Sequence, residues 1–211
     1  MTSTNRTLIV HIFVGDGIVK VPLKDDTTAE DVCIIVAKEL KISPVARLLF
    51  ALKLHGKEIF LHPGFKFTEL QSNECDFRLR FKIPVLKHLQ RLDVNAFSYY
   101  FGQARHDITN SKVLDLNYSK FKNEILGLGV ADMYREMVEK QSKEEEVLNE
   151  YKRFIPTELL KKHRLFLKSP IQKTLQQLQQ TSQLDAVGVK ECYLDNFHRL
   201  APTYLCEVRY C

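Results

Sequence analysis

Three groups of residues have the types from which reactive sites are made. Seven histidines could ligate a metal or carry protons, five cysteines could bridge or ligate, and Glu144, Glu145 and Glu146 could hold a cation. Spacing argues against each. The histidines show no HExxH or comparable ligand spacing. Cys33, Cys75, Cys192, Cys206 and Cys211 are odd in number, scattered and free of any CxxC pair, so they read as buried or idle thiols. The glutamate run reads as a solvated helix start. His198-Arg199-Leu200 begins like an HRD catalytic loop, but Leu200 stands where the aspartate is needed. Phosphate-binding loops of the GxGxxG and GxxxxGK[ST] kinds are absent, as are DFG and GxSxG. The chain is expected to have no catalytic residue, no cofactor and no metal.

Composition frames what remains. A chain of 211 residues, 45% hydrophobic, can bury the cores of one large or two small domains. No run reaches the roughly 18 apolar residues of a membrane span. The start, MTSTNRTLIVHIFVGDG, lacks the features of a signal peptide, so a cytoplasmic protein is expected. A net charge of +5 suits an acidic lipid surface or an acidic peptide, and is too small and dispersed for nucleic acid.

The elements follow from periodicity. Residues 8–13, LIVHIF, read as a strand. Gly15-Asp16-Gly17 can supply a hairpin's positive φ angles. Residues 18–23 make a second strand with Val19, Val21 and Leu23 turned inward. Thr27 with Glu30, or Thr28 with Asp31, opens a helix whose apolar face is Val32, Ile35, Val36 and Leu40. Residues 48–52 are a third strand and residues 58–61 a short return strand. Residues 77–83 alternate, with Phe77, Leu79, Phe81 and Ile83 on one side and Arg78, Arg80 and Lys82 on the other. Strand, strand, helix and three more strands within about eighty residues is the order of a β-grasp.

After Asp93, a good N-cap, strand signals vanish until the last few residues. Ala96, Phe97, Tyr99, Tyr100, Phe101 and Gln103 make a wide aromatic stripe that belongs inside a bundle. Residues 118–140 carry Phe121, Ile125, Leu128, Ala131, Met133 or Val130, and Met137 at helical intervals. Gly127 and Gly129, each costing about 1 kcal/mol in a helix relative to alanine, are read as points of close helix contact. Ser142 with Glu145 caps a short helix, another begins at Thr157, Pro170 should break it, and a last helix covers residues 187–200. Residues 204–211, YLCEVRYC, alternate like the first strand of a further β unit, so the chain is expected to stop as a third lobe begins.

Several stretches in order resemble the FERM module of Janus kinases. They are VCIIVAKELKISPV (32–45), LLFAL (48–52), FRLRFKIP (77–84) and the Leu92-Asp93 to Asp107 segment with Tyr99, Tyr100, Phe101, Gln103 and Arg105. FKNEILGLGVADM (121–133), YKRFIPTELLKK (151–162) and VKECYLDNFHRLAPTY (189–204) continue the series. The last most resembles the Tyk branch. Two departures stand out. The long insertion usual between the family's first two lobes is reduced here to about eight residues, and an arginine-dense helix is replaced by the glutamine-rich SPIQKTLQQLQQTSQ.

The resemblance implies an α+β fold: a ubiquitin-like first lobe (1–84), a short linker (85–92), a helical lobe like acyl-CoA-binding protein (93–202) and the start of a pleckstrin-homology-like lobe (203–211). It implies a binding module that docks on the membrane-proximal tail of a cytokine receptor in JAK-STAT signalling. A tyrosine kinase would lie elsewhere in the full-length relative, and the module would sit peripherally at the inner face of the plasma membrane. Lys120, Lys122, Lys161, Lys162, Arg164 and Lys168 are the basic residues expected to flank the receptor peptide and meet acidic inner-leaflet lipid. The alternative is a non-kinase FERM scaffold linking membrane proteins to the cortical cytoskeleton.

Overall fold

The computed structural model describes residues 6–15, 17–69, 73–114, 116–163 and 167–206. The chain divides into two compact units, one of residues 1–103 with 205–211 and one of residues 104–204.

The first unit is built on a four-stranded sheet in the order β2-β1-β4-β3. Strands β1 (Arg6–His11) and β2 (Ile18–Leu23) form an antiparallel hairpin. Its turn uses positive φ at Gly15 (58°) and Gly17 (80°), as the glycines suggest; Asp16 lies outside the described residues. Strand β3 (Phe50–Leu54) runs antiparallel to β4 (Glu74–Leu79), and β4 lies parallel to β1. Helix α1 (Ala29–Glu39) packs over one face of the sheet. Of the two caps the sequence offers, Thr28 with Asp31 is the one used: Asp31 Oδ2 accepts from Thr28 N at 2.9 Å, and Thr28 Oγ1 from Asp31 N at 3.2 Å.

The core face of the sheet carries Leu8, Val10, Val21, Phe50, Leu52, Cys75, Phe77 and Leu79, all buried. Burial pushes the Cys33 and Cys75 thiols up to about 12, which makes both inert.

Four expectations need correction. Helix α1 turns Cys33 and Ala37 inward beside Val32 and Val36, leaving Ile35 exposed. The small residues sit closer to the sheet than a second branched side chain could. Residues 58–61 form only an isolated bridge, Lys53 to Phe60. Strand β4 starts and stops earlier than expected, ending at Leu79, so Phe81 escapes the core. The supposed linker is helical: after a four-residue helix α2 (Pro44–Arg47), helix α3 spans Leu86–Leu92 and buries Leu86 and Leu89.

Helix α4 (Val94–Thr109) begins in this unit. Strand β1 ends opposite Asp76, so β4 outruns its neighbour by the length of Phe77 to Leu79. The exposed edge is closed by α4 side chains. Tyr99 Oη donates to Phe77 O at 2.5 Å. The Gln103 amide accepts from Leu79 N at 2.8 Å and donates to Leu79 O at 3.2 Å, as a neighbouring strand would. The Tyr99 ring stands edge-on to both Phe50 and Phe77, with centroids 5.4 and 5.5 Å away. The aromatic stripe thus serves the sheet in its first half. Gly102 allows this approach, since a Cβ there would lie 2.3 Å from Phe13 O.

Asp93 ties three segments of the same unit. Its carboxylate accepts from Asn95 N (2.8 Å) and Ala96 N (2.9 Å) at the head of α4, and from Ser43 N (2.5 Å) at the head of α2. Burial alone would raise the Asp93 carboxyl, but these hydrogen bonds outweigh it and hold it below its ordinary value.

The second unit is helical: the remainder of α4, then α5 (Lys122–Lys140), α6 (Glu144–Asn149), α7 (Thr157–His163), α8 (Lys168–Thr181) and α9 (Ala186–Leu200). Helix α5 is the axis, packed against α8 and α9. Helix α6 starts later than its expected cap, with Glu146 accepting from Lys143 N at 3.1 Å. Pro170 lies in the first turn of α8, where its missing N–H leaves no bond unmade. Tyr204 and Leu205 form a turn, Leu205 with φ of 60°, rather than the start of a strand. Residues 207–211 of that expected strand lie outside the described residues.

Candidate binding groove

Helix α5 presents two buried acids, Asp132 and Glu136, and an exposed one, Glu139, and each finds basic partners. Asp132, 1% exposed, accepts from Arg105 of α4 and from Arg135 Nε at 2.8 Å. Glu136 pairs with Arg153, and with Lys140 at 3.3 Å. Glu139 pairs with Arg135, and with Lys190 Nζ of α9 at 2.9 Å. Burial would raise the Glu139 carboxyl, but the Lys190 hydrogen bond and the Arg135 charge together hold it below its usual value. Burial pushes the Tyr193 hydroxyl well up, and the nearby Asp132 charge adds to this, so it stays neutral. These pairs fix the direction in which α9 lies along α5.

The two glycines of α5 do different things. A Cβ at Gly129 would lie 2.6 Å from Ile155 Cδ1 and 2.8 Å from Phe154 O, so the turn Tyr151–Phe154 can rest on the helix only there. A Cβ at Gly127 would meet nothing within 4 Å, which corrects its reading as a helix contact. It borders open space: a groove of about 410 Å³ between α5 and α9, lined by Gly127, Leu128 and Ala131 on one side and Cys192, Tyr193 and Asn196 on the other. Glu124 and Arg199 give it one charge of each sign. Sequence reasoning missed this groove. The available signal was Gly127 and Ala131, one turn apart, where a helix face runs short of side chain.

The six expected basic residues are placed unevenly. Lys120 and Lys162 are brought close: Lys162 Nζ donates to Ser119 Oγ at 3.0 Å, beside exposed Lys120, whose ammonium lies 5.1 Å from the Phe121 ring centroid. Lys162 is also paired with Glu158 at 2.9 Å, which halves its value as a free charge. Lys122 is the half-buried first residue of α5, Lys161 lies exposed on α7, and Lys168 is exposed at the first position of α8. Arg164 lies outside the described residues. None of the five described residues lines the groove. Among the described residues, no helix is long and apolar enough to cross a membrane.

Comparison with known proteins settles the kinship of this architecture. Residues 9–88 match the FERM F1 ubiquitin-like domain, and residues 90–207 match the FERM F2 acyl-CoA binding protein-like domain. The chain belongs to the FERM family. Its two lobes occupy nearly all 211 residues, so the chain contains no kinase domain. Its relatives include tyrosine-protein kinases. Hopscotch of Drosophila melanogaster is 28% identical over 193 residues, covering 84% of this chain and 16% of the kinase. JAK1 of Danio rerio is 26% identical over 161 residues, covering 59% and 14%. JAK3 of Rattus norvegicus is 29% identical over 133 residues, covering 56% and 12%. The FERM chain therefore spans a small part of these kinases. Among solved structures, the MyTH4-FERM MF2 domain of Dictyostelium discoideum myosin VII superposes with a TM-score of 0.67 at 13% identity, covering 97% of this chain and 43% of that one. The FERM domain of Drosophila Merlin, in complex with its C-terminal domain, gives 0.65 at 10% identity, covering 91% and 64%. These two likenesses are of fold alone. Together the matches make this a pair of FERM lobes, a module of the protein-binding kind, with Janus kinases among its relatives.

Proposed function

We propose that this FERM chain captures the membrane-proximal segment of a cytokine receptor's cytoplasmic tail and so places a tyrosine kinase at the inner face of the plasma membrane. The observation that carries the reading is the run of identity with the hopscotch kinase across 84% of the chain, through both lobes. The helical lobe offers a means. An apolar groove with one acid and one base can seat aliphatic anchors of an extended or helical peptide. Exposed Lys120, Lys161 and Lys168 lie on the same lobe, and near an acidic leaflet each contributes about 1 kcal/mol of attraction. The likeness to Merlin and myosin VII, being one of fold, gives the cortical-scaffold alternative no separate support.

The test is capture of receptor-tail peptides tethered to vesicles containing acidic lipid. The K161E/K162E variant should retain less protein than wild type, and a G127L variant, which fills the groove floor, should lose capture from neutral and acidic vesicles alike. If both variants capture the peptide as wild type does, neither the cations nor the groove belongs to a receptor site.

A further inference from the structure

Four titratable side chains converge on the face of the sheet turned away from α1. Register alone brings them there. His11 on β1 stands opposite Asp76 on β4, and Leu54 stands opposite Cys75, so His55 follows next to Glu74. Side chains two apart on a strand share a face, so Glu74 and Asp76 point the same way. The imidazoles of His11 and His55 stack with centroids 4.0 Å apart and planes inclined by 23°. Glu74 Oε2 lies 2.9 Å from His11 Nε2, and Asp76 Oδ1 lies 2.6 Å from His55 Nδ1. One ligand atom from each of His11, His55 and Glu74 lies within 4.8 Å of the other two. In sequence these residues are too far apart to show ligand spacing, His11 and Glu74 being 63 positions apart.

We propose that His11, His55 and Glu74 bind a single divalent transition-metal ion of the zinc class, with Asp76 orienting the His55 ring. Two imidazoles and a carboxylate are a donor set that zinc accepts, with its fourth position left to water. Bond lengths of about 2.0–2.2 Å place ligand atoms on a tetrahedral ion about 3.4 Å apart, so binding requires the stacked imidazoles to tilt until their in-plane lone pairs meet at one point. A ligating histidine commonly gives its second ring N–H to a carboxylate, and Asp76 stands at His55 Nδ1 in that position. Two carboxylates also balance the charge of the ion. Two basic residues share this face: Lys53, opposite Asp76 in register, has its ammonium held by Glu58 at 2.5 Å, and Arg78, two places along β4, has its guanidinium 4.9 Å from the Phe13 ring centroid. A bound ion would fasten β1 and β4 to the turn after β3.

The test is titration of the whole 211-residue chain with Zn2+ against a chromophoric chelator, in a C192S/C206S/C211S background that removes the three thiols not shown to be buried. One ion per chain should bind, with Mg2+ failing to displace it, and affinity should fall as pH falls because the imidazoles must be neutral. The variants H55A and E74Q should each weaken binding at least tenfold, D76N by less, and H88A not at all. His55 and Glu74 are partly exposed, so these variants keep the fold, which circular dichroism checks. X-ray absorption of the zinc-loaded chain should show two imidazoles and oxygen donors. Wild-type affinity in H55A, no preference for Zn2+ over Mg2+, or a spectrum without paired imidazoles would each overturn the site.

Discussion

Replacing Gln103 by leucine should unfasten the far end of β4. Leucine matches glutamine closely in size, so the packing change is small, and what is lost is the pair of hydrogen bonds to Leu79 N and O. Gln103 is 0% exposed, so water cannot take its place. A buried peptide group left unpaired costs about 1–3 kcal/mol, giving about 2–6 kcal/mol for the two. Removing a buried polar amide returns about 1–2 kcal/mol, leaving a net loss of about 2.5 kcal/mol between the middles of the two ranges. Amide hydrogen exchange reads this at the affected bond. The Leu79 amide, which donates to a side chain and not to a strand, should be strongly protected in the wild type and should exchange roughly 60-fold faster in Q103L, at about 1.4 kcal/mol per tenfold. The Ile9 amide, which donates to Asn73 O beside β4, should respond less than Leu79. The Y99F variant, losing a single bond to Phe77 O, should cost about 1 kcal/mol. If Leu79 exchanges at the same rate in Q103L and wild type, the side chain is not standing in for a strand.

Further variants probe other joints. D93A should destabilise the first unit by about 1–2 kcal/mol, the usual cost of a lost N-cap, measured by urea unfolding. Because the folded-state value of Asp93 is lowered, its contribution should be present above the unfolded value near 3.9 and fade as pH falls through the folded one. D93N should flatten that acid limb of the stability profile. G129A should cost about 1–3 kcal/mol through overpacking against Phe154 and Ile155, whereas G127A should gain up to about 1 kcal/mol of helix propensity; thermal melts of the pair should move in opposite directions. R135M should cost more than R105M, because it takes a cation from Asp132 and Glu139 at once, about 1.5–3 kcal/mol for each charged hydrogen bond, whereas R105M takes one from Asp132 alone; equal losses in denaturant would refute that ranking.

Much of the first unit is legible in the sequence because strand alternation and turn glycines act locally. Val19, Val21 and Leu23 point inward as their period demands, and Thr28 with Asp31 caps α1 as spelled. The α1 face was harder, because Ile35 outranks Ala37 in hydrophobicity and only the closeness of the sheet favours the smaller residue. The role of Gln103 is invisible from its own neighbourhood: a glutamine in an aromatic helix declares no partner, and its need arises from where β1 happens to end. The acids of α5 mislead in the same way. At helical spacing Asp132, Glu136 and Glu139 look like a solvated stripe, and the arrival of Arg105 and Arg153 from distant segments makes burial of the first two tolerable. The groove was missed because an absence of side chain is a weak signal. His11 and His55 become neighbours only through strand register.

That dependence of α5 on distant bases has a bearing on how the helical unit assembles. Taken alone, α5 would hold like charges along one flank, and its own Arg135 and Lys140 answer only part of them. The rest of the compensation comes from Arg105, 27 positions before its acid, Arg153, 17 after, and Lys190, 51 after. Cutting the chain before α9 would therefore withhold a counter-ion as well as an apolar face. The helical unit should assemble late and all together, with no shorter piece of it holding α5 in place.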